Sequence, residues 1–202
     1  ITATMGIVIN PNGGLNHPTD TFNNYSGIIG IEFRGQASQV LFPKKNFGIE
    51  TRNADGTSLN VPLMGLPSEN DWILYGPYCD KTLIRNALTF SLGNKMGHYG
   101  SRCMFSELFI NNNYQGLYLL MEKIKVDKKR VHISKLDADD NFGDSLTGGY
   151  ILKLDKEFTG SNGWTSKYKV LGKNVNIMYH DPKYEDLTSK QKTYIRDYMD
   201  NF

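Results

Sequence analysis

Apolar and polar residues alternate through much of the first third of the chain, and a period of two predicts β-strands there. Residues 5–9 (MGIVI) read as a short strand, 25–34 (YSGIIGIEFR) as a longer one, and 45–52 as a third that ends at the turn signal NADG. NPNGGLNHPTDTFNN, between the first two, is a loop rich in Asn, Gly and Pro. LPSENDWILYGPY shows no clean alternation and reads as an irregular link. The period then changes. Ile84, Ala87, Leu88 and Leu92 recur at helical spacing, which predicts a helix over 81–96 with Asp80 as N-cap and Gly97 as stop. Residues 102–110 and 114–123 return to strands, joined by an Asn-rich hairpin. GGYILKLDK at 148–156 adds a strand, and 166–171 and 173–179 pair around Gly172. A last helix is capped by Thr188 or Ser189. Its apolar stripe, Tyr194, Ile195, Tyr198, Met199 and Phe202, runs to the final residue without a closing signal, so the helix is expected to be cut short. The expected fold is α+β: a mostly antiparallel sheet, one main packed helix and a C-terminal helix.

Composition narrows the picture. A chain of 202 residues, 39% hydrophobic, buries a real core as one large domain or two small ones. A net charge of +2 gives no reason to expect a nucleic-acid partner. No apolar run approaches the ~20 residues a membrane helix needs. The chain opens on Ile1 rather than Met, which suggests a processed or excised start. Cys79 and Cys103 flank the predicted helix, which carries them apart, so two buried thiols are expected rather than a disulfide. Neither they nor the four scattered histidines have zinc spacing.

Charged residues inside strand patterns carry the candidate chemistry. Lys45 shares the parity of Phe47 and Ile49, so it begins a strand on the inward face. Such a lysine either meets an anion or snorkels to water past the sheet edge. The order of three strands with a lysine, then a helix, then two strands is the layout of a kinase nucleotide lobe, where that lysine meets phosphates. Glu122 has the parity of Leu120 and Tyr118, and Glu107 that of Phe105 and Phe109. Inward carboxylates need cations, and Arg34, Lys45, Arg85 and Lys123 are the candidates. The predicted helix holds Lys81, Arg85 and Lys95 but no acid, so an acid pairing with Lys45 has to come from a strand, as Glu107 or Glu122. Asp137, Asp139 and Asn141 begin like a calcium loop. Phe142 and Gly148 stand where its Gly and bidentate Glu belong, so a solvated acidic turn is expected. Trp164, Tyr168 and Tyr184 raise a weaker possibility of carbohydrate binding against the default of local packing.

RGQAS, FPKKNFGIE, LPSENDWILYGPYCDKTLIRNALTFSLGNKMG, FSELFINNNYQGLYLLMEKIKVDKKRVHISKL and GGYILKLD, in that order and spacing, resemble the CotH family. Its name comes from a spore coat protein, and its members are atypical protein kinases. The resemblance runs from about residue 28 onward. It implies a kinase-like fold and ATP- and Mg²⁺-dependent phosphorylation of Ser or Thr on coat or surface proteins, with an extracellular, cell-surface or spore-coat location. Lys45 would then meet the nucleotide phosphates, Glu122 and Lys123 would edge the adenine side, and Arg34 would lie at the phosphate-side turn, with Glu107 and Arg85 as ion-pair support. Members read RGNSS at that turn. Here 34–38 read RGQAS, which puts its polar contacts in doubt, though Ser38 remains. The family's catalytic and metal-binding aspartates lie in a second lobe beyond the helix at 187–202, so the chain is expected to be the N-terminal part of the domain, inactive alone. The alternative is a noncatalytic surface or spore-coat scaffold.

Overall fold

The computed structural model describes residues 1–10, 12–155 and 158–202. They divide into two compact units, Ile1–Ile124 and Lys125–Phe202. Pro11 of the Asn-rich loop and Lys156, the last residue of the strand expected at 148–156, lie outside the described residues.

The first unit contains β1 (Thr2–Ile7), β2 (Tyr25–Arg34), α1 (Ala37–Leu41), β3 (Asn46–Arg52), β4 (Val61–Leu63), β5 (Leu66–Glu69), β6 (Asp71–Tyr75), α2 (Arg85–Lys95), β7 (Cys103–Ile110) and β8 (Asn113–Glu122). Six strands make one antiparallel sheet in the order β1-β2-β3-β6-β8-β7. β6 sits near its middle, where the sequence suggested an irregular link. Trp72, Ile73 and Leu74 are all buried because both faces of β6 are covered, and a strand covered on both faces shows no alternation. The hairpin from β7 to β8 turns through Asn111 (φ 50°) and Asn112 (φ 63°), the left-handed pair a two-residue turn requires.

One face of this sheet carries the main core: Tyr25, Ile29, Phe47, Ile49, Trp72, Leu74, Tyr118 and Leu120, with Leu63 and Leu66 of the β4–β5 hairpin. On the other face α2 presses Ala87 and Phe90 onto Ile73, Leu119 and Met121. The helix is shorter than its periodicity predicted, since Leu83 is left-handed (φ 63°) and interrupts it. Asp80 still accepts the Arg85 backbone N–H at 2.8 Å, so the acid expected as the cap satisfies a first-turn donor across the added turn. Gly97 (φ 85°) closes the helix, with Gly97 N–H to Asn94 C=O and His98 N–H to Gly93 C=O forming a Schellman pair. Ile84, Leu88 and Leu92 are half-exposed, so the buried stripe is rotated from the expected one.

In the second unit, β9 (Ile151–Lys153), β10 (Gly163–Val170) and β11 (Lys173–Asp181) form a sheet in the order β10-β11-β9. α3 (Gly143–Thr147) forms within the acidic stretch. α4 (Ser189–Asn201) begins with a capping box in which Thr188 and Gln191 satisfy each other's backbone N–H groups. Leu136, Tyr179, Leu187 and Ile195 form the core, with Trp164 and Tyr194 packed on it. Trp164 and Tyr184 both lie against Tyr179, at 5.3 and 5.9 Å between ring centroids, while Tyr168 is exposed. The acidic turn closes on itself, Asp140 Oδ2 accepting the Asp137 N–H at 2.7 Å. Both cysteines are free. Cys103 is half-buried, but Cys79 is exposed, because it lies in the link before α2 rather than under it.

Candidate functional site

A cavity of about 330 Å³ opens on the α2 side of the six-stranded sheet, over β2, β3 and β6. Strand register dictates its lining. Gly30, Glu32 and Arg34 share one face of β2, and Gly48, Glu50 and Arg52 share the same face of β3. Cross-strand pairing sets Gly30 opposite Glu50 and Glu32 opposite Gly48, while Gly48 pairs onward with Ile73. Glycine therefore alternates with charge in both directions across the floor. Long side chains lie over the glycine positions. A methyl at Gly30 would sit 2.5 Å from the Arg52 guanidinium carbon, and one at Gly48 would sit 3.2 Å from a Glu32 carboxylate oxygen. Asp71 and Lys123 complete the far wall.

Three carboxylate side chains (Glu32, Glu50, Asp71) and three cationic ones (Arg34, Arg52, Lys123) line the cavity, so the side-chain charges cancel. Arg52 grips Glu50, with Nη2 at 2.6 Å from Oε2. The Ser58 hydroxyl donates to the other oxygen of Glu50 at 2.7 Å. Together the hydroxyl and the guanidinium hold the Glu50 carboxyl below its ordinary pKa, the hydroxyl contributing most. Lys123 Nζ lies 3.1 Å from Asp71 Oδ1.

Of the residues singled out from sequence, Arg34 and Lys123 both line this cavity. The structure does not bring Glu122 to it. Neighbouring residues on β8 point to opposite faces, so Glu122 lies on the main-core side, opposite Trp72 and fully buried. Its partner is Arg102, which was not among the cations considered: Nη2 sits 2.6 Å from Oε1, and the Arg102 backbone N–H donates to Oε2 at 3.0 Å. Tyr99 adds its hydroxyl at 3.3 Å. Glu107 is exposed and accepts from the Tyr114 hydroxyl at 2.8 Å, because β7 is an edge strand whose Phe105 and Phe109 are also exposed. Arg85 lies 3.4 Å from Asp80.

The two adjacent lysines separate. Lys45 Nζ donates to the Gln39 and Phe42 carbonyls at 2.6 and 2.7 Å, tying the end of α1 to the start of β3. Lys44 turns inward. Its Nζ donates to the Leu117 carbonyl at 2.6 Å and stands 4.6 Å from the Tyr118 ring centre, and burial lowers its pKa. Glu50, Arg52 and Asp71 are not among the residues the sequence singled out. The available signal was the matched alternation of glycine and charge on one face of β2 and of β3, which only strand pairing brings together.

An antiparallel sheet with α2 inserted between β6 and β7, packed beside a charged cavity on the same face, has the α+β architecture of a kinase N-lobe. The family model described as "CotH kinase protein" matches residues 31–202, and the chain belongs to the CotH kinase family. No curated protein matches the chain. No helix among the described residues is long and apolar enough to cross a membrane.

Proposed function

We propose that the chain contributes the nucleotide-holding part of an ATP-dependent protein kinase that phosphorylates Ser or Thr on coat or cell-surface proteins. The observation that carries this reading is the cavity beside α2 in a member of the CotH kinase family, with Arg34 and Lys123 at its walls. Arg34, Arg52 and Lys123 suit nucleotide phosphates, since guanidinium and ammonium groups donate several hydrogen bonds to anionic oxygens. ATP supplies the transferable phosphoryl group; these residues bind and orient it. Lys45 serves the same site indirectly, by fastening the α1 turn that follows Arg34. The fit to Mg²⁺ is poor: among the described residues no group of three or more His, Cys, Asp or Glu is placed to hold a metal ion. No step is assigned to a metal.

Calorimetric titration of ATP into the full chain tests the reading. Arg34→Gln and Lys123→Gln should each weaken binding about tenfold, the loss of one charge-assisted contact of about 1.4 kcal/mol. Binding unchanged in both variants rejects the site. Transfer of radiolabelled phosphate from ATP to a protein acceptor by the parent protein would favour the enzyme over a noncatalytic coat or surface scaffold.

A further inference from the structure

Resting on the nucleotide reading of the cavity, we infer that Glu50 is a built-in competitor for the ligand's phosphate: it occupies the Arg52 guanidinium, so that an anion gains this cation only by displacing a carboxylate.

The geometry is specific. Arg52 reaches Glu50 through two nitrogens, Nη2 at 2.6 Å and Nε at 2.7 Å, both on Oε2. That is the fork of donors a phosphate would use. The guanidinium lies over Gly30, where any side chain would collide with it, so it is already held inside the cavity wall. Glu50 is equally well placed. Its second oxygen accepts from Ser58 Oγ at 2.7 Å and from Asn70 Nδ2 at 3.4 Å, which aims the carboxylate back along the strand toward Arg52. A carboxylate with neutral donors at its back can let go of Arg52 and still keep hydrogen-bond partners. Arg52 in turn can swing to a ligand without leaving the cavity. A single negative charge fixed here opposes entry of any anion and loses most readily to one carrying several charges, which points to nucleoside di- and triphosphates over monophosphates.

The experiment is a double-mutant cycle read by calorimetry with ADP as the probe, on the full chain. Glu50→Gln keeps the shape and removes the charge. It should tighten ADP binding about tenfold, because the Arg52 guanidinium no longer has to give up a charged partner to meet the ligand. In an Arg52→Gln background the same change should gain less than about threefold, because there is no guanidinium left to release. Glu50→Asp, which keeps the charge but withdraws it from Arg52, should fall between parent and Glu50→Gln, and stands in if Glu50→Gln does not fold. Unchanged or weaker ADP binding in Glu50→Gln, or an equal gain with and without Arg52, overturns the competitor role while leaving the nucleotide site intact. ADP binding absent from the parent and from every variant overturns the nucleotide reading, and this inference with it.

Discussion

The two faces of the six-stranded sheet are built from the same strands by alternate residues, yet they differ in kind. On β3, Phe47 and Ile49 are buried in the main core, while Gly48, Glu50 and Arg52 line the cavity. At the end of β8, Glu122 and the next residue, Lys123, part in the same way. Glu122 is buried, paired with Arg102 and bonded by the Tyr99 hydroxyl; Lys123 sits on the cavity wall with Asp71. The Glu122 carboxylate, fully buried on the closed face, has no water to fall back on and must be paired there. Charge on the open face keeps water as an alternative partner, so its pairs can be exchanged for a ligand at low cost. The same ion pair is therefore structural on one side and adjustable on the other.

Substitutions can break that contrast, and the largest effects belong to the closed face. Trp72→Ala removes a fully buried side chain beside Glu122 and should cost about 3–5 kcal/mol in denaturant unfolding. A loss below about 1 kcal/mol would mean that this face is loosely packed. Arg102→Met leaves the Glu122 carboxylate buried with a charged partner removed, and should cost about 3 kcal/mol. Arg52→Gln, the matching change on the open face, should cost under about 1 kcal/mol by the same measurement. Equal costs for Arg102 and Arg52 would erase the distinction.

Gly30→Ala sharpens it further. The new methyl displaces the Arg52 guanidinium, so ADP affinity should fall several-fold, while the unfolding midpoint moves by less than the about 4–8 °C that 1 kcal/mol produces in small domains. A large drop in midpoint with ADP binding intact would place the collision in the core instead.

The smallest expected effect separates the faces by pH. The folded-state pKa of Glu50 is depressed by Ser58 and Arg52, so its contribution is present above the unfolded value near 4.5 and is lost as pH falls through the folded value. Tyr25 and Tyr118, on the closed face, are raised by burial above 10.0. Their contribution is present below 10.0 and is lost as pH rises through their folded values. Melting temperatures of Glu50→Gln should follow the parent at alkaline pH and show a shallower fall than the parent below pH 4.5. An identical acid limb would show that the Arg52–Glu50 pair contributes nothing to stability.

Much of this fold was legible along the chain. β2, β7 and the hairpin of the second unit fall close to where alternation and turn residues put them, because an edge or half-covered strand writes its two environments into every second residue, and β8 was placed by the Asn-rich turn that joins it to β7. β6 was missed for the opposite reason: Trp72, Ile73 and Leu74 need the same chemistry on both sides, and a uniform apolar run carries no period. In the candidate site, Arg34 and Lys123 were expected as cations for inward carboxylates and, through the resemblance to the CotH family, as site residues, and both line the cavity. Glu50 and Arg52 escaped notice, since each looks like an ordinary solvent-facing residue until β2 is laid beside β3.

The sequence by itself determined the class of fold, the end of α2 at Gly97, the start of α4 at its capping box, and the kinship to the CotH kinases, because these depend on local periodicity, turn chemistry and the order of short motifs. Only the tertiary structure decided which charges meet. Lys45 was drawn to the carbonyls of α1, Lys44 to β8, and Glu122 to Arg102 rather than to any cation near it in strand parity. A buried charge pairs with whatever cation the fold brings within about 4 Å, and that distance is set by strand register, which no single strand records.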